Sequence, residues 1–461
     1  MSDWASRRLH FIGIGGAGMS GLALVCAELG ASVTGSDRSD SSYMERLRAA
    51  GLDPIVGHDA ANLPDGVEVV VSTAIGGENP ELALARERGI EPIHRGALLS
   101  ELCAEKRLIA VAGTHGKTTT TAMLVWALRG LGTDPAFFVG GEVPGLGPGG
   151  AAANAGWGAS EWVIAEADES DGSFLDLKPE IAVVTNIEMD HHSRWGSVAE
   201  LREAFRRFIA PASGVVLPEP AGVAAGPIRS SEAATDILDG ATRVIKQVAP
   251  FSATRPGPED LVLSVSGQHN RRNARAALAA LELAGFDLGA ATAALADFTG
   301  VGRRLELKGS RDGAQIYDDY AHHPTEVRAA LEALREKGSA RLIAVFQPHL
   351  FSRTKVFAEE FGAALALADE VVVLDVYPAR EEPVGELAGV SGLRVAQAAA
   401  ERMEGRRVVW MPDQGAAAEA LARRLDQNQA VGIENQVLVT IGAGDVFRVG
   451  EALLEKEPGE Q

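Results

Sequence analysis

Three stretches of the chain share one order of apolar and polar positions. Each starts with a short apolar run, continues through a turn, and goes on into a segment whose apolar residues recur at helical spacing. The first stretch starts near residue 8, the second near Arg107 and the third after Gly309. Apolar runs that alternate with helical segments are typical of parallel sheets covered by helices. The pattern therefore predicts an α/β protein with three doubly wound units.

The predicted elements follow from these runs. The strands are 8–15, 31–35, 67–71, 108–112, 162–166, 181–185, 314–318, 341–346, 371–376 and 436–441, and the helices are 20–29, 118–130, 273–284 and 327–336. A stretch rich in Pro, Gly, Ser and Ala at 211–260 predicts only weak strands and loops. The polar tail after Lys456 predicts disorder. Boundaries near residues 105 and 307 divide the chain into domains 1–105, 106–307 and 308–461.

Composition narrows the classes of partner. The 461 residues carry a formal net charge of -20, which repels nucleic acid and anionic membranes. No uninterrupted apolar stretch reaches the roughly 18 residues that a membrane helix requires. Two cysteines far apart, outside any CxxC pair, suit a reducing compartment. We expect a cytoplasmic protein with no nucleic-acid partner and no membrane insertion, as a monomer or a dimer.

One feature of the N-terminus suggests export from the cytoplasm instead. Arg7 and Arg8 precede an apolar run, as in a twin-arginine export signal. The glycines inside this run fit a phosphate-binding turn better than the apolar core of a signal.

The first glycine-rich turn has the spacing of a dinucleotide-binding fingerprint. Gly13, Gly15 and Gly18 follow a predicted strand and open a predicted helix, and Asp37 stands about twenty residues further on, after the second strand. Bare backbone amides at a helix N-terminus favour a diphosphate. A nicotinamide dinucleotide and a UDP-sugar both offer that group, and a tight turn without a ligand is the plain structural alternative. The motif indicates a nucleotide diphosphate without choosing between the two.

The second glycine-rich turn, from Gly113 to Thr119, is the stronger chemical signal. Gly116 lets the backbone approach a phosphate, Lys117 is placed to reach the β and γ phosphates, and the Thr118 hydroxyl can bind Mg²⁺. The usual pattern has a glycine where this chain has Val111, so the loop is a variant. It predicts a nucleoside triphosphate site between a strand and a helix.

Acidic residues follow two further predicted strands of the same domain. They are Glu166, Asp168, Glu169 and Asp171 at the end of the first strand, and Glu188 and Asp190, with the neighbouring His191 and His192, after the second. Hard oxygen ligands suit Mg²⁺. Solvated loops and surface histidines are the structural alternatives, but two such clusters beside a phosphate loop favour a Mg²⁺ site, with Mn²⁺ as a second candidate ion.

Seven segments in order point to a known family. They are FIGIGGAGMSGLA, VAGTHGKTTTTAM, AEADESDGSF, TNIEMDHH, GQHNRRNARAA, GVGRRLELKG and DDYAHHPTEV. With them the sequence resembles the Mur ligases of peptidoglycan synthesis, over about residues 10 to 447, and THGKTTT with DDYAHHPTE is typical of the alanine-adding branch. The resemblance implies a Rossmann-like N-terminal domain, a P-loop ATPase-like central domain and a Rossmann-like C-terminal domain. It also implies ATP-dependent ligation of L-alanine to the carboxylate of UDP-N-acetylmuramate through an acyl phosphate, giving ADP and phosphate.

The resemblance also implies roles for individual residues. The UDP-sugar set is Gly15, Gly16, Ala17, Gly18, Met19, Ser20, Asp37, Ser72 and His94. The ATP set is Gly113, Thr114, His115, Gly116, Lys117, Thr118, Thr119, Asn270, Asn273, Arg304 and Asp319. The metal set is Thr118, Glu166 and His191, the amino-acid set is Tyr320, His322 and Arg353, and the catalytic set is Lys117, Glu166, His191, Arg304 and Asp319.

Two local features bear on this assignment. Leu350 follows Gln347-Pro348-His349 where the family usually has a basic residue, which removes one candidate contact to the amino acid's carboxylate. No lysine lies between Lys178 and Lys246, so the carbamylated lysine that several sister ligases use as a metal ligand is missing, as the alanine-adding branch implies.

Three alternative functions remain at this point. An oxidoreductase would use the first turn for NAD but leaves the second turn without a role. A sister ligase would add a preformed peptide to the same sugar nucleotide. A non-catalytic nucleotide-binding module would not need Lys117, Glu166, His191 and Asp319 together.

Overall fold

The structure, a computed structural model, describes residues 3–190, 194–218, 247–251, 261–379 and 381–455. The chain divides into two compact units, Met1–Ser264 with Arg272–Thr299 and Val265–Arg271 with Gly300–Gln461. Two of the three described sheets belong to the first unit and one belongs to the second.

The N-terminal sheet is parallel throughout its described pairs. Its strands are β1 Arg8–Ile12, β2 Ser32–Asp37, β3 Ile55–Val56, β4 Glu68–Val71 and β5 Ile93–His94, and its helices are α1 Ala17–Glu28, α2 Ser42–Ala49, α3 Pro80–Glu87 and α4 Arg95–Cys103. The strand order is β3-β2-β1-β4-β5. This order reverses direction on either side of β1, where doubly wound sheets bind their ligands.

The central sheet is mostly parallel, with β7 and β8 antiparallel. Its described strands are β6 Arg107–Ala112, β7 Ala136–Val143, β8 Ala153–Gly156, β9 Trp162–Glu166, β10 Ile181–Val184, β11 Gly214–Pro218 and β12 Gln247–Phe251. The accompanying helices are α5 Lys117–Gly130, α6 Val198–Ile209, α7 Gln268–Leu283 and α8 Leu288–Ala294. The order β12-β11-β10-β6-β9-β7-β8 places β6 between β10 and β9, so the carboxyl ends of these three strands meet at one edge.

The C-terminal sheet combines one antiparallel edge strand with a parallel remainder. Its strands are β13 Glu306–Arg311, β14 Ala314–Asp319, β15 Arg341–Phe346, β16 Glu370–Val373, β17 Arg407–Trp410 and β18 Gln436–Ile441. Its helices are α9 Pro324–Glu336, α10 Phe351–Leu365, α11 Gly392–Arg402, α12 Gln414–Ala430 and α13 Phe447–Glu455. The order is β13-β14-β18-β15-β16-β17. His323 caps α9 and Pro324 occupies its first position, a combination that fixes a helix start.

The N-terminal and central sheets share one continuous apolar core, which includes Leu22 and Leu98 from the first and Phe138 and Ala165 from the second. A Cβ on Gly21 of α1 would lie 2.9 Å from the Cβ of Ala155. Helix α1 therefore packs directly against the central sheet, and the first two domains form one unit.

Cys26 and Cys103 are both reduced and buried in this core, at 0% and 2% exposure. Burial raises the pKa of the Cys26 thiol to about 12 and raises that of the Cys103 thiol well above its usual range. A buried thiol with a raised pKa is chemically inert in the folded protein.

A buried polar network connects strands β1 and β2 of the N-terminal sheet to helix α3. Both carboxylate oxygens of Glu81, which is 0% exposed, are used: the His10 Nε2 atom is 2.7 Å from one, the His58 Nδ1 atom is 3.0 Å from the other, and the Ser36 hydroxyl donates to the pair. Burial by itself would raise the pKa of Glu81, but these hydrogen bonds hold it below its usual value.

The α/β fold in three domains is confirmed, and β9, β15 and β18 have the predicted bounds, while α7 begins at Gln268 rather than at residue 273. Within 211–260 the structure describes β11 and β12, whereas residues 219–246, 252–260 and the tail after Lys456 lie outside the described residues. The domain boundaries at 105 and 307 stay predictions. None of the helices in the described ranges combines the length and the apolar character needed to cross a membrane.

Candidate active site

The predicted phosphate loop connects β6 to α5. Gly113 has φ of 132°, and a Cβ there would collide with the Thr185 hydroxyl. Gly116 has φ of 78°, and a Cβ would lie 2.5 Å from Asn273 Oδ1. Only glycine combines positive φ with such close approach. Lys117 is then the first residue of α5, so its backbone N–H faces outward from the helix N-terminus, where anions bind.

The side chain of Lys117 is folded over this loop. Its Nζ donates to the carbonyl oxygens of Gly113 at 2.7 Å and Thr114 at 3.3 Å. It also forms an ion pair with Glu169, with Nζ 2.8 Å from Oε2. The Glu169 side chain is 2% exposed and that of Lys117 is 13% exposed, so this is a buried charge pair beside the loop.

The charges around Lys117 are predominantly negative. Burial lowers the pKa of Lys117, but the nearby carboxylates of Glu169, Asp168 and Glu166 together hold it above its usual value, so the ammonium stays charged. Burial raises the pKa of Glu169 to about 7, although Lys117 acts in the opposite direction. The charged ammonium of Lys117 therefore lies beside the place where phosphate oxygens are expected.

Glu166 faces the first turn of α5. The Thr118 hydroxyl donates to Glu166 Oε1 at 3.0 Å, and the Gly140 N–H donates to Oε2 at 2.7 Å. Two of the three predicted metal ligands are thus adjacent at the carboxyl ends of β6 and β9. The third, His191, lies outside the described residues.

The segment after β10 is fastened to the phosphate loop. The Thr114 hydroxyl donates to the Glu188 carbonyl at 3.0 Å and accepts from the Glu188 N–H at 2.9 Å. The Asn186 side chain accepts from the His115 N–H at 3.0 Å and donates to the His115 carbonyl at 2.8 Å. The His115 Nε2 and Glu188 Oε2 atoms are 3.2 Å apart. These bonds fix the loop's conformation by both its backbone and its side chains.

The first glycine turn leads from β1 into α1. Residues 15–20 form the turn and the first helical turn, with Gly16 as the cap of α1. The Asp37 carboxylate accepts the N–H of Gly15 at 2.9 Å. Asp37 therefore bonds to the turn itself in this structure, and its other oxygen accepts the N–H of Ser39 at 3.3 Å.

Ser72 follows β4 and His94 is the last residue of β5, at the same edge of the sheet. The Ser72 hydroxyl accepts the N–H of Ala74 at 3.3 Å. The His94 Nδ1 accepts the N–H of Gly96 at 3.2 Å and so caps α4. Both residues have local structural partners, and their predicted contact with a UDP-sugar stays a prediction.

Arg95, which the sequence did not single out, joins the two domains of the first unit. One guanidinium nitrogen donates to both Asp168 Oδ2 and Asp171 Oδ2 at 2.8 Å. Burial would raise the pKa of Asp168, but the positive charges of Arg95 and Lys117 hold it far below its usual range. Asp168 is thus flanked by the phosphate-loop lysine and an arginine of the first domain.

The predicted asparagines lie on one helix, α7. Asn273 contacts the phosphate loop at Gly116 within the first unit. Asn270 belongs to the second unit, where its amide donates to the Ser266 carbonyl at 2.7 Å. Within the first unit, the structure thus brings Asn273 to the phosphate loop.

In the second unit, Asp319 ends β14 and is buried. Its carboxylate accepts the backbone N–H groups of Leu305 at 2.8 Å and Ala321 at 2.7 Å. Burial raises the pKa of Asp319 to about 6, although the charge of Arg304 lowers it. The Arg304 guanidinium is 3.9 Å from Glu326 and 5.2 Å from the centre of the Tyr320 ring.

The predicted amino-acid residues form one cluster in the second unit. The His322 Nδ1 atom is 3.0 Å from the Tyr320 carbonyl, and the His322 and His349 rings are 6.0 Å apart. Arg353, 4% exposed, lies with Nη1 3.1 Å from His349 Nδ1. The sequence-based prediction gave no role to His349, although this residue directly precedes Leu350 in the chain. Leu350 itself has φ of 70°, a strained conformation for a branched side chain.

Three family models match the chain. They are described as Mur ligase family, catalytic domain, over residues 8–107, Mur ligase middle domain, over 111–217, and Mur ligase, glutamate ligase domain, over 303–444. Together they match more than half of the chain.

The chain belongs to the Mur ligase family.

Curated relatives of this Mur ligase include two enzymes named UDP-N-acetylmuramate–L-alanine ligase. The one from Renibacterium salmoninarum is 45% identical over 470 residues, which cover 97% of this chain and 95% of the relative. The one from Rubrobacter xylanophilus is 42% identical over 461 residues, which cover 97% and 100%.

Two solved structures are similar to this chain over nearly its whole length. A UDP-N-acetylmuramate–alanine ligase from Thermotoga maritima matches with a TM-score of 0.77 at 28% identity and covers 97% of this chain and 98% of that one. A murein peptide ligase from Psychrobacter arcticus has a TM-score of 0.69 at 23% identity, over 98% of this chain and 100% of that one, which shows a shared fold alone.

The comparisons confirm the predicted family, and with it an ATP-dependent ligase enzyme. The roles given to individual residues stay predictions. Glu169 belongs to the AEADESDGSF segment, but the sequence-based prediction gave it no role, because the sequence does not show that its side chain faces Lys117.

Proposed function

We propose that this Mur ligase joins L-alanine to the carboxylate of UDP-N-acetylmuramate at the expense of ATP, as a cytoplasmic step of peptidoglycan precursor synthesis. One observation supports it most. Lys117, Thr118 and Glu166 converge at the carboxyl ends of the neighbouring strands β6 and β9, in a chain that matches alanine ligases over 97% of its length.

The side chains at this edge fit a Mg²⁺ or Mn²⁺ ion. The Thr118 hydroxyl and the Glu166 carboxylate are 3.0 Å apart, and two neighbouring oxygen ligands of an octahedral Mg²⁺ are separated by about 2.9 Å. Both are the hard oxygen donors that the ion prefers, and His191 would be a further ligand. The bound ion would supply positive charge that reduces repulsion between ATP and the substrate carboxylate.

The reaction must first activate the carboxylate, because hydroxide is too poor a leaving group for an amine to displace. A carboxylate oxygen forms a bond to the γ phosphorus, and the bond from that phosphorus to the bridging oxygen of ADP breaks. The amine of alanine then attacks the acyl carbon and loses a proton, and inorganic phosphate leaves. Positioning and charge stabilisation supply most of the rate in phosphoryl transfer.

The residues of the loop would bind and orient the triphosphate. Lys117 is charged and buried, and it now bonds to Glu169 and to two loop carbonyls. A phosphate oxygen would replace part of that set. The backbone N–H groups at the start of α5 would bind the remaining phosphate oxygens, because Gly116 has no side chain that would block their approach.

The other substrates would use the remaining predicted sets. Residues 15–20, Asp37, Ser72 and His94 would bind the UDP part, and Tyr320, His322 and Arg353 would bind alanine. Asn270, Asn273, Arg304 and Asp319 would contact ATP. Because Arg353 is the cation of the amino-acid cluster, it is the residue we expect to bind the carboxylate of alanine in place of the basic residue that Leu350 replaces.

The test is phosphate release with ATP and UDP-N-acetylmuramate against a panel of amino acids and a free tripeptide that has an N-terminal alanine amine. We expect release with L-alanine that exceeds the release with each other amino acid and with the peptide. Release with the peptide and not with alanine would replace the proposal by a peptide-adding ligase. Release without any amino acid would contradict ligation.

The acyl phosphate has its own test. Incubation with ATP, UDP-N-acetylmuramate and hydroxylamine, without alanine, should give a hydroxamate, and the same mixture without ATP is the control. If alanine gives product under conditions in which hydroxylamine traps nothing, an acyl phosphate is not formed.

A further inference from the structure

Arg95 is the first residue of α4, yet its side chain bonds to the central domain. One of its terminal nitrogens lies 2.8 Å from both Asp168 Oδ2 and Asp171 Oδ2. The Arg95 side chain is 22% exposed and that of Asp171 is 4% exposed. This is a shielded, charge-assisted contact between the two domains, of the kind that contributes more than a surface ion pair.

The same guanidinium passes beside the first glycine turn. A Cβ on Gly18 would lie 3.2 Å from the second terminal nitrogen of Arg95, which is tighter than an ordinary contact. Gly18 is the third glycine of the fingerprint, at the start of α1. Arg95 therefore lies beside the turn on one side and bonds to the acidic segment after β9 on the other.

That acidic segment also lies beside Lys117 of the phosphate loop. Asp168 acts on Lys117 through its charge, together with Glu169 and Glu166. Four carboxylates, those of Glu166, Asp168, Glu169 and Asp171, thus face two cations, Arg95 and Lys117. If Arg95 moved away from Asp168, the full charge of Asp168 would act on Lys117 and on any triphosphate bound beside it.

We propose that Arg95 is a positioning residue that couples binding of the sugar nucleotide in the first domain to binding of ATP in the central domain. A diphosphate at the turn of Gly15 and Gly18 favours the position of the guanidinium seen here. In that position Arg95 neutralises Asp168 and leaves Lys117 available for the triphosphate. The inference rests on the proposed function, because it takes UDP-N-acetylmuramate as the ligand of the first domain.

The chain offers a matched control in Arg46. This arginine also reaches from the first domain to the central one, where it donates to Glu142 at 2.9 Å and to Asn154 at 2.8 Å. Its side chain is 24% exposed, nearly the same as that of Arg95. Glu142 is not one of the carboxylates that act on Lys117, and Asn154 carries no charge. Arg46→Met therefore removes a similar contact between the domains without changing the charge at the phosphate loop.

The experiment measures the dissociation constant of a non-hydrolysable ATP analogue by calorimetry, with and without saturating UDP-N-acetylmuramate. For the wild type and Arg46→Met we expect the sugar nucleotide to tighten analogue binding by about tenfold. For Arg95→Met we expect less than about twofold, and the reciprocal titration should show the same loss because coupling is symmetric. A purely structural role for Arg95 would weaken each ligand separately and leave the ratio unchanged.

The outcomes separate the two proposals. If Arg95→Met binds both ligands and retains the wild-type ratio, or if the wild type shows no coupling, the inference on Arg95 is overturned while the proposed function stands. If the wild type does not bind UDP-N-acetylmuramate, both are overturned. Should Arg95→Met fail to fold, Asp171→Asn removes one anchor of the guanidinium and should lower the ratio to about threefold. An unchanged ratio in that variant would equally overturn the inference.

Discussion

Substitution of Lys117 by methionine removes the cation of the phosphate loop while it keeps a side chain of similar length. Lys117 is the ammonium among three carboxylates and beside two loop carbonyls. Removing one neutral hydrogen-bond donor from a transition-state site costs about 2.7–4 kcal/mol. A buried charge facing a triphosphate should cost at least as much. We therefore expect the rate of ADP formation at saturating substrates to fall by about 10²–10³ or more.

The same substitution has a stability effect with a defined dependence on pH. Breaking a buried ion pair by removing one partner costs about 3–5 kcal/mol, and here Glu169 can lower that cost by taking up a proton. Its folded-state pKa is already raised to about 7 by burial, despite Lys117. Without Lys117 the pKa rises further, so above about pH 7 the variant retains a proton that the wild type has released. The stability gap should stay constant below about pH 7 and widen above it.

The assay is coupled ADP release at pH 7.5, with urea unfolding between pH 6 and pH 9. Lys106→Met is the matched control, because Lys106 Nζ also donates to two backbone carbonyls, those of Gly158 and Ser160, away from the loop. It should lose stability and keep turnover within about threefold. A folded Lys117→Met enzyme with ADP release within tenfold of the wild type would refute the role of Lys117.

Three further changes test other parts of the structure. Gly116→Ala should weaken ATP binding by more than about tenfold and lower the free energy of unfolding by about 1–2 kcal/mol, because it places a Cβ at positive φ against Asn273; calorimetry and urea unfolding measure both, and unchanged binding would contradict the loop assignment. Burial raises the pKa of Asp319 to about 6, so the folded protein retains a proton that the unfolded chain releases near pH 4. The unfolding free energy of the wild type, relative to Asp319→Asn, should therefore fall by up to about 3 kcal/mol from pH 4 to pH 6; parallel urea-derived profiles would contradict it. Glu81→Gln should cost about 2–3 kcal/mol in urea unfolding, because it removes the charged acceptor shared by His10, His58 and Ser36, and a loss below 0.5 kcal/mol would show that the network is not stabilising.

The sequence predicts best what depends on neighbouring residues. The two glycine turns, the strands that precede them and the helices that follow are local, and the structure has them within a few residues of their predicted bounds. Thr118 and Glu166 also meet as expected, because both follow parallel strands whose carboxyl ends share one edge of the sheet.

Contacts between distant segments could not be predicted in this way. Arg95 bonds to carboxylates 73 and 76 residues away, and no periodicity or spacing links these positions. The sequence shows that Glu169 is acidic, but whether its side chain faces solvent or Lys117 depends on the path of the chain after β9. The two histidines and the carboxylate of the buried network lie in β1, in the loop after β3 and in α3, so only the folded chain shows that they form one network.

The two thiols in the core shared by the first two domains have a practical consequence. Because neither Cys26 nor Cys103 is exposed by more than 2% and both have raised pKa values, a maleimide or disulfide reagent should modify them only when that core opens. The wild-type chain thus contains two native reporters of unfolding in its first unit. Their rate of modification, with and without ligands, would measure how strongly each substrate stabilises that unit, without any engineered label.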